Sequence, residues 1–196
     1  MKFNSWGHLS WRVFYKARSL FLRIIHFLGF SDSGKTTTIE RLCRILVVKR
    51  YRVGILKHTH SPHFTIDTRG KDTWRFARSG AKIIVSLADS EIAIIKKERL
   101  SNDSLEKILN IFRREKMDYL FVEGFYQKFR AKSNVVRILC ANNETEVLKL
   151  LKKHSNPMCI TGNLTNKQHK SQILGVPVIK DIRRIAKIIT DDRLLR

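Results

Sequence analysis

Gly29-Phe30-Ser31-Asp32-Ser33-Gly34-Lys35-Thr36 is the stretch that decides the fold. It reads G-x-x-x-x-G-K-[ST], the pattern of a phosphate-binding loop. Immediately before it runs Ile24-Ile25-His26-Phe27-Leu28, short, apolar and rich in β-formers. Immediately after it, from Thr37 to Arg50, the apolar residues Ile39, Leu42, Ile45 and Leu46 recur at helical spacing. The motif requires this setting, a buried strand in front and a helix start behind. The bland alternative, a surface glycine turn that caps a helix, leaves the Lys-Thr pair and the strand unexplained.

The chemistry follows from the setting. A helix start has backbone N–H groups without partners, and its dipole adds partial positive charge. Gly29 and Gly34 let the backbone curl around an anion. The expectation is that Ser31, Asp32, Ser33 and Thr37, with the two glycines, present the loop to a nucleotide's phosphates. Lys35 would reach the β- and γ-phosphates, and the Thr36 hydroxyl would ligate magnesium.

Outward from the loop, apolar runs alternate with amphipathic ones. Arg52–His58, Asp118–Gly124, Val135–Cys140 and Pro157–Thr161 read as strands. Lys71–Arg78, Leu105–Lys116, Glu144–Lys153 and Asp181–Ile189 read as helices, the first closing at Gly80 and the last capped by Asp181. Ala81–Ser86 and Glu91–Lys96, joined by Ala88-Asp89-Ser90, read as a hairpin. The sum is an α/β phosphate-loop NTPase, a mainly parallel sheet with helices on both faces and a β-hairpin excursion. Residues 23–196 form one nucleotide-binding domain on this reading. Residues 1–22 are a basic extension without acids, where Trp6, Trp11, Phe14, Tyr15 and Phe21 alternate with Arg12, Lys16 and Arg18. A secretory signal fits poorly, because its apolar part runs directly into the strand before the loop; we expect a loosely ordered extension, against the alternative of a basic amphipathic surface helix that touches membrane or partner.

The chain of 196 residues is 43% hydrophobic, ordinary for a globular protein, but carries a net charge of +22. That balance favours polyanionic partners: nucleotides, acidic proteins or nucleic acid. The Lys and Arg are scattered, and no single block resembles a nucleic-acid-binding arm. Cys43, Cys140 and Cys159 are far apart and show no metal-ligand spacing, which points to reduced thiols and a cytoplasmic protein. No stretch is long enough without charges to span a membrane.

Three further groups carry chemistry. Glu123 ends the apolar run Phe121-Val122, where a phosphate-loop protein places an acid near magnesium or its bound water. Against that stands an ordinary solvated acid at a strand end. Lys57-His58-Thr59-His60, with His63 nearby, is dense in imidazole. His58 and His60 share one strand face, so metal binding is open, as are contact with phosphate and no role at all. Asp67 could orient water or magnesium, while Asp72 or Thr73 could simply cap a helix.

Taken together, G-F-S-D-S-G-K-T, then K-H-T-H, then G-K-D-T-W with a following S-G-A, then F-V-E-G-F, resemble the molybdopterin-guanine dinucleotide biosynthesis protein B family, MobB, over roughly residues 23–150. The phosphate loop alone is widespread; the ordered combination is far more specific. The resemblance implies a GTP- and Mg2+-binding protein, a homodimer, at most a slow GTPase. It implies an adapter for the molybdenum cofactor guanylyltransferase, with molybdopterin as a further ligand. Carried over by position, Gly29, Gly34, Lys35 and Thr36 would bind phosphates and magnesium, and Glu123 would be the second acidic motif. His58, His60, Asp67, Lys71 and Asp72 would lie in the surface around the nucleotide. The chain departs from the pattern at Arg69, where Pro is expected, and Asn166-Lys167-Gln168-His169 lacks the Asp of an N-K-x-D guanine signature. Guanine preference therefore comes from the resemblance, and base contacts are expected after Ile160-Thr161-Gly162-Asn163. Two other classes compete: a small kinase with an arginine lid from Arg69, Arg75 or Arg78, and a basic nucleic-acid-binding protein.

Overall fold

The computed structural model describes residues 22–61, 63–99, 101, 103–166 and 170–191. The N-terminal extension up to residue 21, Pro62 and Lys167-Gln168-His169 lie outside the described residues. In chain order the elements are β1 (Arg23–Leu28), α1 (Lys35–Val48), β2 (Val53–Lys57), α2 (Asp72–Arg78), β3 (Ile83–Leu87), β4 (Ile92–Lys96), α3 (Ser104–Arg114), β5 (Tyr119–Glu123), α4 (Tyr126–Arg130), β6 (Val135–Cys140), α5 (Glu144–Leu151), β7 (Cys159–Thr161), β8 (Gln172–Ile173), β9 (Val176–Pro177) and α6 (Ile182–Thr190). They fall into two units: residues up to Lys57 together with Phe112 onward, and His58–Ile111 between.

The first unit is a five-stranded sheet in the order β2-β5-β1-β6-β7, every pairing parallel. Parallel strands need crossovers, and these put helices on both faces. On one face Ile25, Phe27, Tyr119, Phe121 and Ile138 pack with Ile39, Leu42 and Leu46 of α1 and with Ile185 and Ile189 of α6. On the other, Leu28, Leu139 and Ile160 pack with Val147 and Leu150 of α5. The central strands β1 and β5 are therefore buried on both sides, which is why they read as unbroken apolar runs rather than alternating ones. Each such fully buried Leu or Phe contributes about 1.5–3 kcal/mol of transfer free energy.

The β1–β5 pairing positions the acid against the loop: it sets Phe27 beside Glu123, two residues before the loop begins. The expected Asp181 cap is present: its Oδ1 accepts from the Arg183 N–H at 2.9 Å. Asn143 does the same for α5, accepting from the Glu146 N–H at 3.0 Å.

The second unit contains α2, the antiparallel pair β3–β4 and most of α3. The hairpin register sets Val85 against Ile94 and Leu87 against Ile92. Ile84 is buried beneath it, while Ile83, Val85, Leu87, Ile92 and Ile94, all on the opposite face, are exposed. α2 ends as expected, with Gly80 at φ 103° and the Ala81 N–H bonded to the Phe76 carbonyl. Its start differs from expectation: Lys71 occupies the cap position and no side chain caps the helix. Thr73, a candidate cap, instead donates its hydroxyl to Asp67 at 2.7 Å. Thr73 is the second residue of the helix, one past any cap position, and its hydroxyl makes a charge-assisted bond to the loop carboxylate.

Candidate functional site

The phosphate loop is the crossover from β1 to α1. Gly29 must be glycine: a Cβ there would collide with the Cys140 carbonyl oxygen and lie 2.5 Å from Ser33 Oγ. Asp32 and Gly34 take left-handed backbone conformations, φ 56° and 87°. These alternations turn successive N–H groups to one side, the geometry of an anion nest. α1 then starts at Lys35 with no side-chain cap and no acid in its first turn. By contrast α5 and α6 are both capped by side chains. The first-turn N–H groups of this 14-residue helix thus face a cleft with their positive partial charge intact.

That cleft, about 440 Å3, is lined by Ser31, Asp32, Gly34, Lys35, Thr36 and Thr37 from the loop and helix. Opposite them stand Glu123, Lys57 and Asn163. Lys35 is buried, and its ammonium donates to the Phe30 carbonyl, so the charge is held inside the curl of the loop. Ser33 does not line the cleft. It is fully buried behind the loop, and its hydroxyl has no hydrogen-bond partner. Glu123 ends β5 at the level of the loop, 14% exposed, with Oε2 3.6 Å from Lys57 Nζ. The Gly124-Phe125 turn after it is left-handed at both residues, and the Gly124 carbonyl is 2.6 Å from His26 Nε2.

Two cleft residues are not among the expected site residues. Lys57 stands in the sequence only as the start of an imidazole-rich segment. Its signal is positional: it is the last residue of β2, in register with Glu123. Asn163 lies where base contacts are expected from topology. Its Nδ2 donates to the Asp32 carbonyl at 2.7 Å and to Asn142 Oδ1 at 2.9 Å. Gly162 allows this, because a Cβ there would strike the Ser33 carbonyl. The end of β7 is thus fastened to the back of the phosphate loop.

The remaining candidates belong to the second unit. His58 and His60 meet edge to face, ring centroids 4.3 Å apart. Burial, and then His60, hold the His58 imidazole below its ordinary pKa. Among the described residues no group of three His, Cys, Asp or Glu could hold a metal ion. Asp67 Oδ1 accepts from the Thr68 N–H and the Thr73 hydroxyl, at 2.9 and 2.7 Å. Its Oδ2 is buried without a partner. Of the candidate lid arginines, Arg69 and Arg78 lie over the Trp74 ring and Arg75 is 3.5 Å from Asp72.

The three cysteines are unpaired, and burial pushes the Cys140 and Cys159 thiols up to about 12, leaving them inert. No helix among the described residues is long and apolar enough to cross a membrane.

Comparison with known proteins agrees with this geometry. The family described as "Molybdopterin guanine dinucleotide synthesis protein B", MobB, matches residues 24–156. The Haemophilus influenzae molybdopterin-guanine dinucleotide biosynthesis adapter protein is 35% identical over 105 residues, 54% of this chain and 58% of that protein. The Escherichia coli protein of the same name is 27% identical over 110 residues, 56% of this chain and 62% of that one. The chain therefore spans little more than half the length of these curated relatives. The crystal structure of Bacillus subtilis MobB superposes with a TM-score of 0.68 at 23% identity, covering 86% of this chain and 96% of that one, a likeness of fold. With the family match running from β1 through the phosphate loop and Glu123 to the end of α5, the chain belongs to the MobB family.

Proposed function

We propose that this protein binds GTP with Mg2+ in the phosphate-loop cleft and serves in the cytoplasm as an adapter to the guanylyltransferase of molybdenum cofactor biosynthesis. The observation that carries the reading is the uncapped, acid-free start of α1 opening onto a cleft that holds both Lys35 and Glu123. A triphosphate fits this donor set. The loop N–H groups, Lys35 and Lys57 supply positive charge, and Asn163 stiffens the loop from behind. Mg2+ fits as well. It keeps most of its waters and needs only one or two protein oxygens, which Thr36 and Glu123 would provide. When bound, the ion would neutralise the β- and γ-phosphates.

Within the reading, Gly29, Ser31, Asp32, Ser33, Gly34, Lys35, Thr36 and Thr37 form or support the phosphate cradle. Glu123, which lines the cleft, is the acid proposed to orient water. His58 and His60 belong to the surface that meets nucleotide or partner. The three candidate lid arginines are engaged, Arg69 and Arg78 with Trp74 and Arg75 with Asp72, so among the described residues none of the three is a free arginine finger, and slow GTP turnover is expected. The exposed aliphatic face of β3–β4 supports a homodimer, because such a face is costly in water.

Equilibrium binding of fluorescent GTP and ATP with Mg2+, to the wild type and to Lys35→Ala, tests the proposal. We expect GTP-selective binding that falls on the order of 10–100-fold in the variant, the worth of one charged hydrogen-bond donor. ATP-selective binding would favour a kinase, and equal binding indifferent to Lys35 would remove the nucleotide site altogether.

A further inference from the structure

A second cleft, about 380 Å3, opens in the first unit beside the phosphate loop. Gly29 and Phe30 line it, whereas Ser31 onward lines the nucleotide cleft. Its floor is apolar and aromatic, formed by Phe30, Tyr126 and Leu150. Its rim is basic at Arg130 and Lys153, with the His154 ring beside them, and no carboxylate lines it.

The parts are fixed. The Tyr126 hydroxyl donates to the Gly29 carbonyl at 3.0 Å, and its ring stacks on buried His26 with centroids 6.1 Å apart. The His154 ring lies 5.9 Å from that of Tyr126. The His154 backbone N–H is tied to the Leu150 carbonyl at 2.9 Å. Burial, then Arg130, Arg137 and Lys153, hold His154 below its ordinary pKa, so it presents a neutral ring. Arg137 is not available to a ligand, because its guanidinium is spent on the carbonyls of Phe129, Arg130, Lys132 and Val135. Arg130 and Lys153 are exposed, and among the described residues neither has an ion-pair partner.

Scattered positive charge is general in a chain of net charge +22, so the basic rim alone would say little. What sets this cleft apart is the pairing of that rim with three aromatic rings in a concavity of ligand size. Aromatic faces favour flat π-systems, and guanidinium and ammonium groups favour anions. We propose that this cleft is a second small-molecule site, which takes a flat heteroaromatic ring system carrying an anionic group, the rings against Phe30, Tyr126 and His154 and the anion at Arg130 and Lys153. The site needs no nucleotide in the neighbouring cleft. Only the choice of a pterin as the test ring rests on the function proposed above.

The test is fluorescence titration of pterin-6-carboxylate without nucleotide, with unsubstituted pterin as the ring lacking an anion. Proteins are the wild type, Thr36→Ala, which alters the nucleotide cleft alone, and the double variant Arg130→Ala/Lys153→Ala, whose exposed positions leave folding intact by circular dichroism. We expect saturable binding to the wild type, about 10-fold weaker or more in the double variant and for unsubstituted pterin, the scale of lost charge-assisted hydrogen bonds. Thr36→Ala should bind as the wild type does, which separates this site from the nucleotide site whether or not that site works. Absence of saturable binding overturns the proposal. So does binding lost in Thr36→Ala, or binding equal for both pterins and unchanged in the double variant.

Discussion

The central sheet of the first unit and the hairpin of the second treat their large apolar residues in opposite ways. In the first, Phe27, Leu28, Phe121 and Ile138 are completely shielded within a sheet covered on both faces. In the second, five large aliphatics of the hairpin are more than half exposed, and α2 buries no residue. The same residue types thus serve as core in one place and as surface in the other. The difference teaches that apolar character alone does not make a core residue: coverage by a second packed layer does.

Truncations and acid applied to the first unit should have the largest effects. Phe121→Ala should cost about 3–5 kcal/mol in urea unfolding, because it removes a buried ring between two packed layers.

Acid probes the same unit. His26 is buried in β1, and burial lowers its pKa to about 4 against an unfolded value of 6.5. The unfolded chain therefore binds the proton first. The stabilisation is complete above pH 6.5 and lost as pH falls toward 4, by about 3 kcal/mol in all. The Gly124 carbonyl partner requires Nε2–H on the neutral ring. Urea midpoints measured between pH 7 and 4 should fall in the wild type and fall less steeply in His26→Leu. Equal slopes would show that another group controls acid stability.

Smaller effects belong to the second unit. Thr73→Val removes the hydroxyl donor to Asp67 and should cost about 1 kcal/mol. Amide exchange should report it as faster opening of α2, with the exchange of β1 and β5 unchanged. Faster exchange across the sheet would show that the two units do not open separately. Smallest of all is Ile94→Ala, the counterpart of the Phe121 truncation. Measured at dilutions where the chain is monomeric, it should change stability by no more than about 0.5 kcal/mol. A large loss at Ile94 in the monomer would mean that the face is already covered within one chain.

The loop, β1 and α1 are legible in the sequence because their determinants are local. Glycines that permit a curled backbone, a continuous apolar run and a 3.6-residue repeat lie within about two dozen consecutive positions. Glu123 is legible for a similar reason, as the polar end of an apolar strand. The helix α4 is not, since its five residues are too few to show a period. The β8–β9 pair, two residues in each strand, is equally silent. Lys57 and Asn163 are hidden for a different reason: each reaches the cleft through sheet order and through contacts far away in sequence. The uncapped start of α2 escapes a sequence reading because Asp72 and Thr73 both read as caps, whereas the helix starts one residue earlier than either would allow, with Lys71 at the cap position.

The strap from β7 to the phosphate loop has a consequence for how the molecule is made. Asn163 and the Asp32 carbonyl it holds are 131 residues apart, and the strands flanking β1 begin only at Tyr119 and Val135. On the ribosome, therefore, the loop emerges well before the segments that back it. Its glycines and lysine have no rigid wall behind them until Gly162 and Asn163 have left the exit tunnel. Contacts so distant along the chain make folding slow, and a nascent chain exposes β1 with both edges unpaired in the meantime. Competence to grip a phosphate is thus a late event in the life of the chain, and a ribosome stalled before Gly162 would display the complete motif without the site.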